Sequence, residues 1–357
     1  MSLLPEFCID SIAPGSKGIF SFTVDLPEGI HDLPRQSFLA SSGFCSEDRM
    51  AAEMAAHIHK GKLSIPILAA RGNQDGQTMI VTAGIHGDEY EGMEAIYRVF
   101  DVLDPERMKG TFVAAPIVTL PAFWLGIRSN PVDLKNMARV FPGNPSGTFS
   151  ERLAWELLHR LLQHASLYID LHSSGRNYRM LTLCGYSTVG KQSVVAREAA
   201  FVFGAPVVWA HSSTAPGRTL SATLELGIPS LYTEAYGGGH VRPIDLECYT
   251  NGLANVLKLL DITVLDQVGL PDGYRPRVLG GSGNMDVGIK CQCGGLFFPS
   301  QELGATVRSG AIVGIVRSLE GRIIEEVSSP QDGVLILIRA TPRIYPGENV
   351  AALASEG

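Results

Sequence analysis

The string Gly84-Ile85-His86-Gly87-Asp88-Glu89 sets an imidazole and a carboxylate three residues apart, with glycines that let the backbone turn sharply. Both groups are good zinc ligands, and catalytic zinc takes three protein ligands while keeping one position open. Alone, the H-x-x-E spacing fits a salt-bridged loop as well as a metal pair. A second segment, Tyr168-Ile169-Asp170-Leu171-His172, is an apolar run ending in a histidine and followed by Ser173-Ser174-Gly175. His172 is a candidate third ligand, or else a core histidine bonded to a backbone carbonyl. On a strand Asp170 shares its face, either as a partner that orients the ring or as a buried structural acid. A third segment, Ile228–Glu234, runs to a carboxylate and then to Ala235-Tyr236-Gly237-Gly238-Gly239. A zinc hydrolase needs such a carboxylate to take a proton from water and return it to the leaving amine.

The elements around these residues place them on one rim. Ser64–Ala70 and Thr78–Ala83 are short apolar runs of the kind that form strands buried in a sheet, and Gly72–Gly76 between them reads as a hairpin turn. Met93, Ile96, Tyr97, Phe100 and Leu103 recur at helical spacing, so residues 89–103 should be an amphipathic helix. His86 and Glu89 then lie where a strand gives way to a helix, the crevice where open α/β sheets bind ligands. Thr111–Val118 and Ser166–Leu171 read as further strands, the second preceded by a leucine-sided helix that the Thr148-x-x-Glu151 box opens. Val207–Trp209 and Ser230–Thr233 should be strands, and Thr250–Leu260 a closing helix. Before Leu63 the pattern is weaker, with a strand at Ile19–Val24 and a helix at Ser46–His59. Strands alternating with helices predict a sheet covered on both faces.

Composition narrows the class. Hydrophobic residues make up 45% and charged residues 18%, and 29 basic against 36 acidic residues leave a net charge of −7. With no basic run to track phosphates, a nucleic-acid partner is not expected. No stretch approaches the roughly 20 apolar residues of a membrane span, and no basic-then-apolar leader opens the chain. A cytoplasmic enzyme is therefore expected, with no membrane partner and with homo-oligomers left open. The six cysteines are scattered, with no CxxC pair, which suits reduced thiols. Met1-Ser2-Leu3 and Glu356-Gly357 read as cloning remnants. Serine-nucleophile (G-x-S-x-G) and dinucleotide (G-x-G-x-x-G) motifs are missing, and His57-x-His59 with His31 reads as surface histidines rather than a second metal site.

Beyond Pro271–Pro276, which reads as a linker, the chain becomes short strands and Gly/Pro turns, so a small all-β domain should follow. Val307-x-x-Gly310-x-x-Val313 and Ile344-x-x-Gly347-x-x-Val350 form a weak internal echo that resembles the barrel-sandwich fold of biotinyl and lipoyl carriers. A carrier needs a lysine on its exposed turn. Here the only lysine past Lys258 is Lys290, outside Ser329–Gly333, so a lid or assembly domain is expected instead.

Taken in order, HGDE, then Arg128-x-x-Pro131-x-Asp133 with Asn136-Met137-Ala138-Arg139-Val140-Phe141-Pro142-Gly143, then DLHSSG and TEAYGGG are similar to the succinylglutamate desuccinylase/aspartoacylase family of the zinc-carboxypeptidase clan. The resemblance covers roughly residues 60–265. It implies a three-layer α/β/α zinc-peptidase-like domain with a mostly parallel mixed sheet, plus a small C-terminal all-β domain. The expected division is an N-terminal segment at 4–60, a zinc hydrolase domain at 61–270 and a β domain at 277–355. By the same resemblance His86, Glu89 and His172 would hold one zinc per chain, Glu234 would be the general base, and Arg128 would polarise the scissile carbonyl. Arg139 would bind a substrate carboxylate, with Asn136 nearby in the substrate site. The chain departs from the family at Ala138, where an asparagine commonly precedes the arginine. The implied reaction is hydrolysis of a small N-acyl amino acid or similar amide. A carboxypeptidase acting on short peptides, or a non-catalytic small-molecule binder on the same scaffold, are the competing readings; a binder would have no need of Glu234.

Overall fold

The computed structural model describes residues 4–27, 56–263, 265 and 269–357. Of the helix expected at Ser46–His59, residues 46–55 lie outside the described residues, as do His31 and Cys45; its last two residues form a short strand. In chain order come strands β1 (Ser16–Asp25), β2 (Ile58–His59), β3 (Lys62–Arg71) and β4 (Gln74–Ala83), then helix α1 (Glu91–Val102) and strand β5 (Lys109–Ala115). Helices α2 (Leu120–Leu125) and α3 (Phe149–Arg160) lead to strands β6 (Leu167–Ser173), β7 (Tyr178–Met180) and β8 (Leu183–Ser187). Helix α4 (Ser193–Phe203), strand β9 (Val207–His211), helix α5 (Thr219–Glu225), strand β10 (Ser230–Ala235) and helix α6 (Pro243–Leu259) follow.

The strands lie in the order β1-β3-β5-β4-β6-β10-β8-β9. At the centre β5, β4, β6 and β10 are mutually parallel, while β1 and β3 on one flank run antiparallel to their neighbours, and β8 is antiparallel to β10 and parallel to β9. Alternation along the strands splits the core in two. Met79, Val81, Ile169 and Leu171 face α1, α4 and α6, whereas Ile80, Val113 and Tyr168 face α3 and α5. Every residue of β6 is buried, as a near-continuous apolar run in a parallel sheet must be. The three-layer α/β/α arrangement expected from the sequence is thus present.

One expectation fails. The Gly72–Gly76 segment is not a hairpin, because β5 lies between β3 and β4, antiparallel to the first and parallel to the second. The Gly72 N–H donates to the Gly110 carbonyl (2.9 Å), so the chain entering β5 crosses the turn and separates its two arms. Helix α6 also begins earlier than expected, at Pro243, with proline in its first turn and Asp245 beside it. Both are ordinary helix-start features.

The C-terminal region is all β, in strands β11 (Arg277–Gly280), β12 (Ile289–Lys290), β13 (Gly295–Pro299), β14 (Thr306–Val307), β15 (Ile312–Arg317), β16 (Ile323–Ser328), β17 (Gly333–Arg339), β18 (Arg343–Ile344) and β19 (Asn349–Glu356). A four-stranded sheet, β16-β15-β13-β18, faces the strands around β17 and β19 across a small core. All four apolar positions of the internal echo, Val307, Val313, Ile344 and Val350, are buried there. The region is sewn onto the main sheet by β11, parallel to β9 and antiparallel to β19. Glu356, read above as a cloning remnant, belongs to the fold: it pairs with Leu279 in the ladder and its carboxylate accepts from Arg277. Among the described residues all five cysteines are free, and no helix is long and apolar enough to cross a membrane.

Helix α3 covers the strands that carry His172. Glu151 accepts from the Thr148 N–H (2.8 Å), and Leu153, Leu157 and Leu158 are buried against the sheet. Leu153→Ala is expected to destabilise the fold by about 2–5 kcal/mol through lost burial and the cavity left behind, read as a lower denaturant midpoint with an unchanged slope.

Candidate active site

Three of the expected residues meet at one point. His86 and Glu89 follow β4 directly, and His172 lies near the end of the adjacent parallel strand β6, so both segments open on the same rim. Donor atoms of the three lie within 4.8 Å of one another. Gly87 makes the approach possible: a Cβ there would stand 2.0 Å from the Ala122 carbonyl carbon, so any side chain would push the His86–Glu89 turn away from α2.

The hydrogen bonds fix how the rings face. Asn136 Oδ1 accepts from the Ala138 N–H (2.9 Å), which identifies it as the oxygen, and the His86 Nε2–H donates to it (3.0 Å). His86 Nδ1 therefore turns toward Glu89 Oε1 (2.8 Å), and it accepts from Arg128 Nη1 at 3.3 Å. His172 repeats the arrangement: Nε2 is 3.1 Å from Asp170 Oδ2 and Nδ1 is 2.8 Å from Glu89 Oε2. Asp170 is held by the hydroxyls of Thr82 (2.8 Å) and Thr219 (2.6 Å), so the acid two residues back orients the ring. Two Nδ1 atoms and a carboxylate converge with their outer nitrogens already engaged, which is the donor set that suits a divalent cation.

The charges agree with this geometry. Burial, reinforced by Arg128, lowers the His86 pKa to about 4, so its ring is neutral at pH 7. Burial also works against a charged His172, but the Asp170 and Glu89 carboxylates outweigh it and raise its pKa well above the usual imidazole value. For Glu89 burial favours the neutral acid, yet the two imidazoles win and hold its pKa well below the ordinary carboxylate range.

Glu234 stands opposite His172 in the β10–β6 register and is buried. Burial pushes its pKa up to about 8, with His172 opposing and Glu89 adding to the rise. Its carboxylate hydrogen-bonds no protein donor among the described residues and lines the crevice beside His86 and His172. Arg128 is partly exposed and donates to Glu89 Oε1 (3.1 Å), its guanidinium reaching over the cluster from the open side.

Arg139 and Asn136 sit differently from the simplest expectation. The Nε and Nη2 edge of Arg139 is taken by Asp286 of the C-terminal region (2.9 and 2.7 Å), and Nη1 donates to the Ala138 carbonyl (2.8 Å). The oxygen of Asn136 is occupied by the His86 ring and the Ala138 N–H, so the residue positions a ring and is not among those lining the crevice. The sequence reading did not single out Arg218, Asp286, His211 or Tyr232. Arg218 lines the crevice and shares Asp286 with Arg139 (2.9 Å), and Tyr232 closes a wall with its hydroxyl 2.8 Å from His211 Nε2. Tyr232 precedes Glu234 by two residues on one strand, a same-face signal that was available; Arg218 and Asp286 lie in loops with no periodic signal. His57 packs near Trp124 (ring centroids 6.2 Å apart), and among the described residues no second metal-ligand cluster accompanies it.

A three-layer sheet with a His–Glu–His cluster at neighbouring strand ends defines the class: an α/β protein built to hold a metal in its carboxyl-end crevice. The chain belongs to the succinylglutamate desuccinylase/aspartoacylase family, whose catalytic-domain model matches residues 75–260. It is 28% identical to the N-alpha-acetyl-L-2,4-diaminobutyric acid deacetylase of Halomonas elongata, over 82% of this chain and 86% of that protein. A succinylglutamate desuccinylase/aspartoacylase structure from Rhodobacter sphaeroides superposes with a TM-score of 0.80 at 25% identity, over 99% of both chains. The product-bound ectoine utilization protein EutE (DoeB) of Ruegeria pomeroyi gives a TM-score of 0.77 at 25% identity, over 97% of this chain and 98% of that one.

Because Asp170 orients His172, Asp170→Asn is expected to weaken metal binding by about 10–100-fold while leaving the fold intact. Competition with a chelator reads the affinity and circular dichroism reads the fold; unchanged affinity would show that Asp170 is only a structural acid.

Proposed function

We propose that this chain is a zinc-dependent hydrolase that cleaves the amide bond of a small N-acyl amino acid, with one zinc per chain on His86, Glu89 and His172. The observation that carries the proposal is the pairing of that cluster with Glu234, a buried carboxyl group with no hydrogen-bond donor among the described residues, on the same crevice wall. Family membership and the deacetylase from Halomonas elongata support the choice of an amide substrate. Zinc bound there would act as a Lewis acid, polarising the scissile carbonyl and lowering the pKa of water.

The chain's own residues do the rest. Glu234 accepts a proton from the attacking water and passes it to the departing amine nitrogen, the two transfers expected of a carboxylate within reach of both. Arg128, with its N–H groups over the cluster, donates to the carbonyl oxygen as negative charge builds there. Arg139 and Arg218, at the far end of the crevice, hold the substrate's carboxylate through the N–H groups that Asp286 leaves open. Asp170 and Asn136 keep the two imidazoles in register. In this reading residues 61–270 are the hydrolase domain, the described residues before them (4–27 and 56–60) belong to an N-terminal segment beside it, and residues 277–355 form a β domain that narrows the crevice. Ser282, Gly283 and Met285 line the crevice, which favours small substrates over peptides.

The test is hydrolysis of a panel of N-acyl amino acids by the zinc-loaded protein, followed by release of the free amine. Glu234→Gln keeps shape and hydrogen bonding but accepts no proton, so kcat should fall by about 10²-fold or more with zinc content unchanged. Wild-type kcat in that variant would assign the base elsewhere, and no turnover of any panel member by the wild type would reject the deacylase reading.

A further inference from the structure

We propose that Asp286 sets the charge of the substrate: by tying the two guanidiniums at the far end of the crevice, it restricts the site to N-acyl amino acids with a single carboxylate and excludes dicarboxylic ones. The inference rests on the deacylase reading and names the substrate class within it. Asp286 comes from the C-terminal region, 147 residues after Arg139 and 68 after Arg218, yet it bonds both. Its two oxygens accept from Arg139 Nε and Nη2 in a fork, the arrangement in which arginine otherwise takes a carboxylate ligand, and one of them also accepts from Arg218 Nη2. A carboxylate supplied by the protein thus fills the fork that a second substrate carboxylate would use. Two guanidiniums less one resident carboxylate leave a single positive charge to be matched.

The turn that carries Asp286 is fixed in place. The Asp286 N–H donates to Asn284 Oδ1 (3.2 Å), and that oxygen also accepts from Arg218 Nη2 (2.9 Å). Asn349 holds the Met285 carbonyl (3.0 Å), and the Ser212 N–H donates to the Gly281 carbonyl (2.9 Å). Gly283, at φ +68°, passes so close to the His211 ring that a Cβ would stand 2.0 Å from Nδ1. The Ser212 and Arg218 contacts tie the turn to the segment after β9, His211 packs it on β9 itself and Asn349 anchors it to β19, and its residues Ser282, Gly283 and Met285 line the crevice. Asp286 accordingly stays ionised: burial favours its neutral form, but hydrogen bonds and charge from Arg139 and Arg218 outweigh that and lower its pKa.

The experiment reads affinity, so that it stands apart from turnover. In the zinc-loaded Glu234→Gln protein, calorimetry gives Kd for N-acetylalanine and Nα-acetyl-2,4-diaminobutyrate, and for N-acetylaspartate and N-acetylglutamate. The single-carboxylate pair should bind at least about tenfold tighter, the scale of one charge-assisted contact. Adding Asp286→Asn should move that ratio by about tenfold toward the dicarboxylates, whereas Asp286→Glu, which keeps the charge, should preserve it. A purely structural Asp286 would weaken all four ligands alike and leave the ratio unmoved, which overturns the proposal. Equal binding of both classes before the Asp286 change, or no binding of either, also overturns it. Loss of hydrolysis in the wild type with these affinities intact would instead count against the deacylase reading alone.

Discussion

The site is organised by one buried anion. Glu89 is almost fully enclosed, with an imidazole nitrogen 2.8 Å from each of its oxygens and Arg128 over one of them. A carboxylate in that position is costly unless positive charge stands beside it, and His172 and Arg128 supply it. Asp170 and Glu234, on neighbouring strands, add two more acids. A proton is favoured on His172 by the Asp170 and Glu89 carboxylates, and on Glu234 chiefly by its burial, with Glu89 adding to it. A divalent cation among the three ligands would replace those two protons. It would free the His172 lone pair and return Glu234 to the carboxylate, the form in which it accepts a proton. In the proposed mechanism the same electrostatic strain would favour metal binding and prepare Glu234 as the base.

The fold's contribution is to bring these groups to one rim without flexible parts. Parallel strands β4 and β6 end side by side, and β10 ends beside β6, so three consecutive strands of the sheet deliver His86 with Glu89, His172 and Glu234. Period-two alternation then puts Asp170 and His172 on one face, away from the α1–α6 core. Helix α3 and the Asn136 turn cover that face, which is why Asn136 meets the outer nitrogen of His86.

Much of this was legible in the sequence because it is local. Buried strands announce themselves as short apolar runs, and a ligand at the end of such a run must lie at the sheet's edge. Spacing within one segment located the His86–Glu89 pair, and the Asp170–His172 relation followed from strand geometry. What local pattern does not carry is which strand pairs with which. The turn between β3 and β4 has hairpin composition, and only the distant Lys109–Ala115 segment, pairing with both, shows that it is not one. The start of α6 carries a local signal in Pro243, but the apolar period that marks the helix is clearest further on. Asp286 was out of reach, since its partners are far away in the chain and its own turn has no distinguishing signal.

That last gap shows how the crevice differs at its two ends. At the rim the ligands come from adjacent strand ends, so their geometry is inherited from hydrogen-bonded backbone. At the far end the guanidiniums of Arg139 and Arg218 sit in loops and are positioned by a carboxylate from another part of the chain. A loop-borne site of this kind can change its charge through one residue without disturbing the cluster around Glu89. The departure at Ala138 lies at the same end: the small side chain is buried, and its carbonyl receives Arg139 Nη1, so the guanidinium is braced from its own backbone on one side and by Asp286 on the other. On the proposed reading selectivity is thereby separated from chemistry: the strand ends would set what reaction is possible, and the loops facing them, one from each region, would set which molecule can reach it.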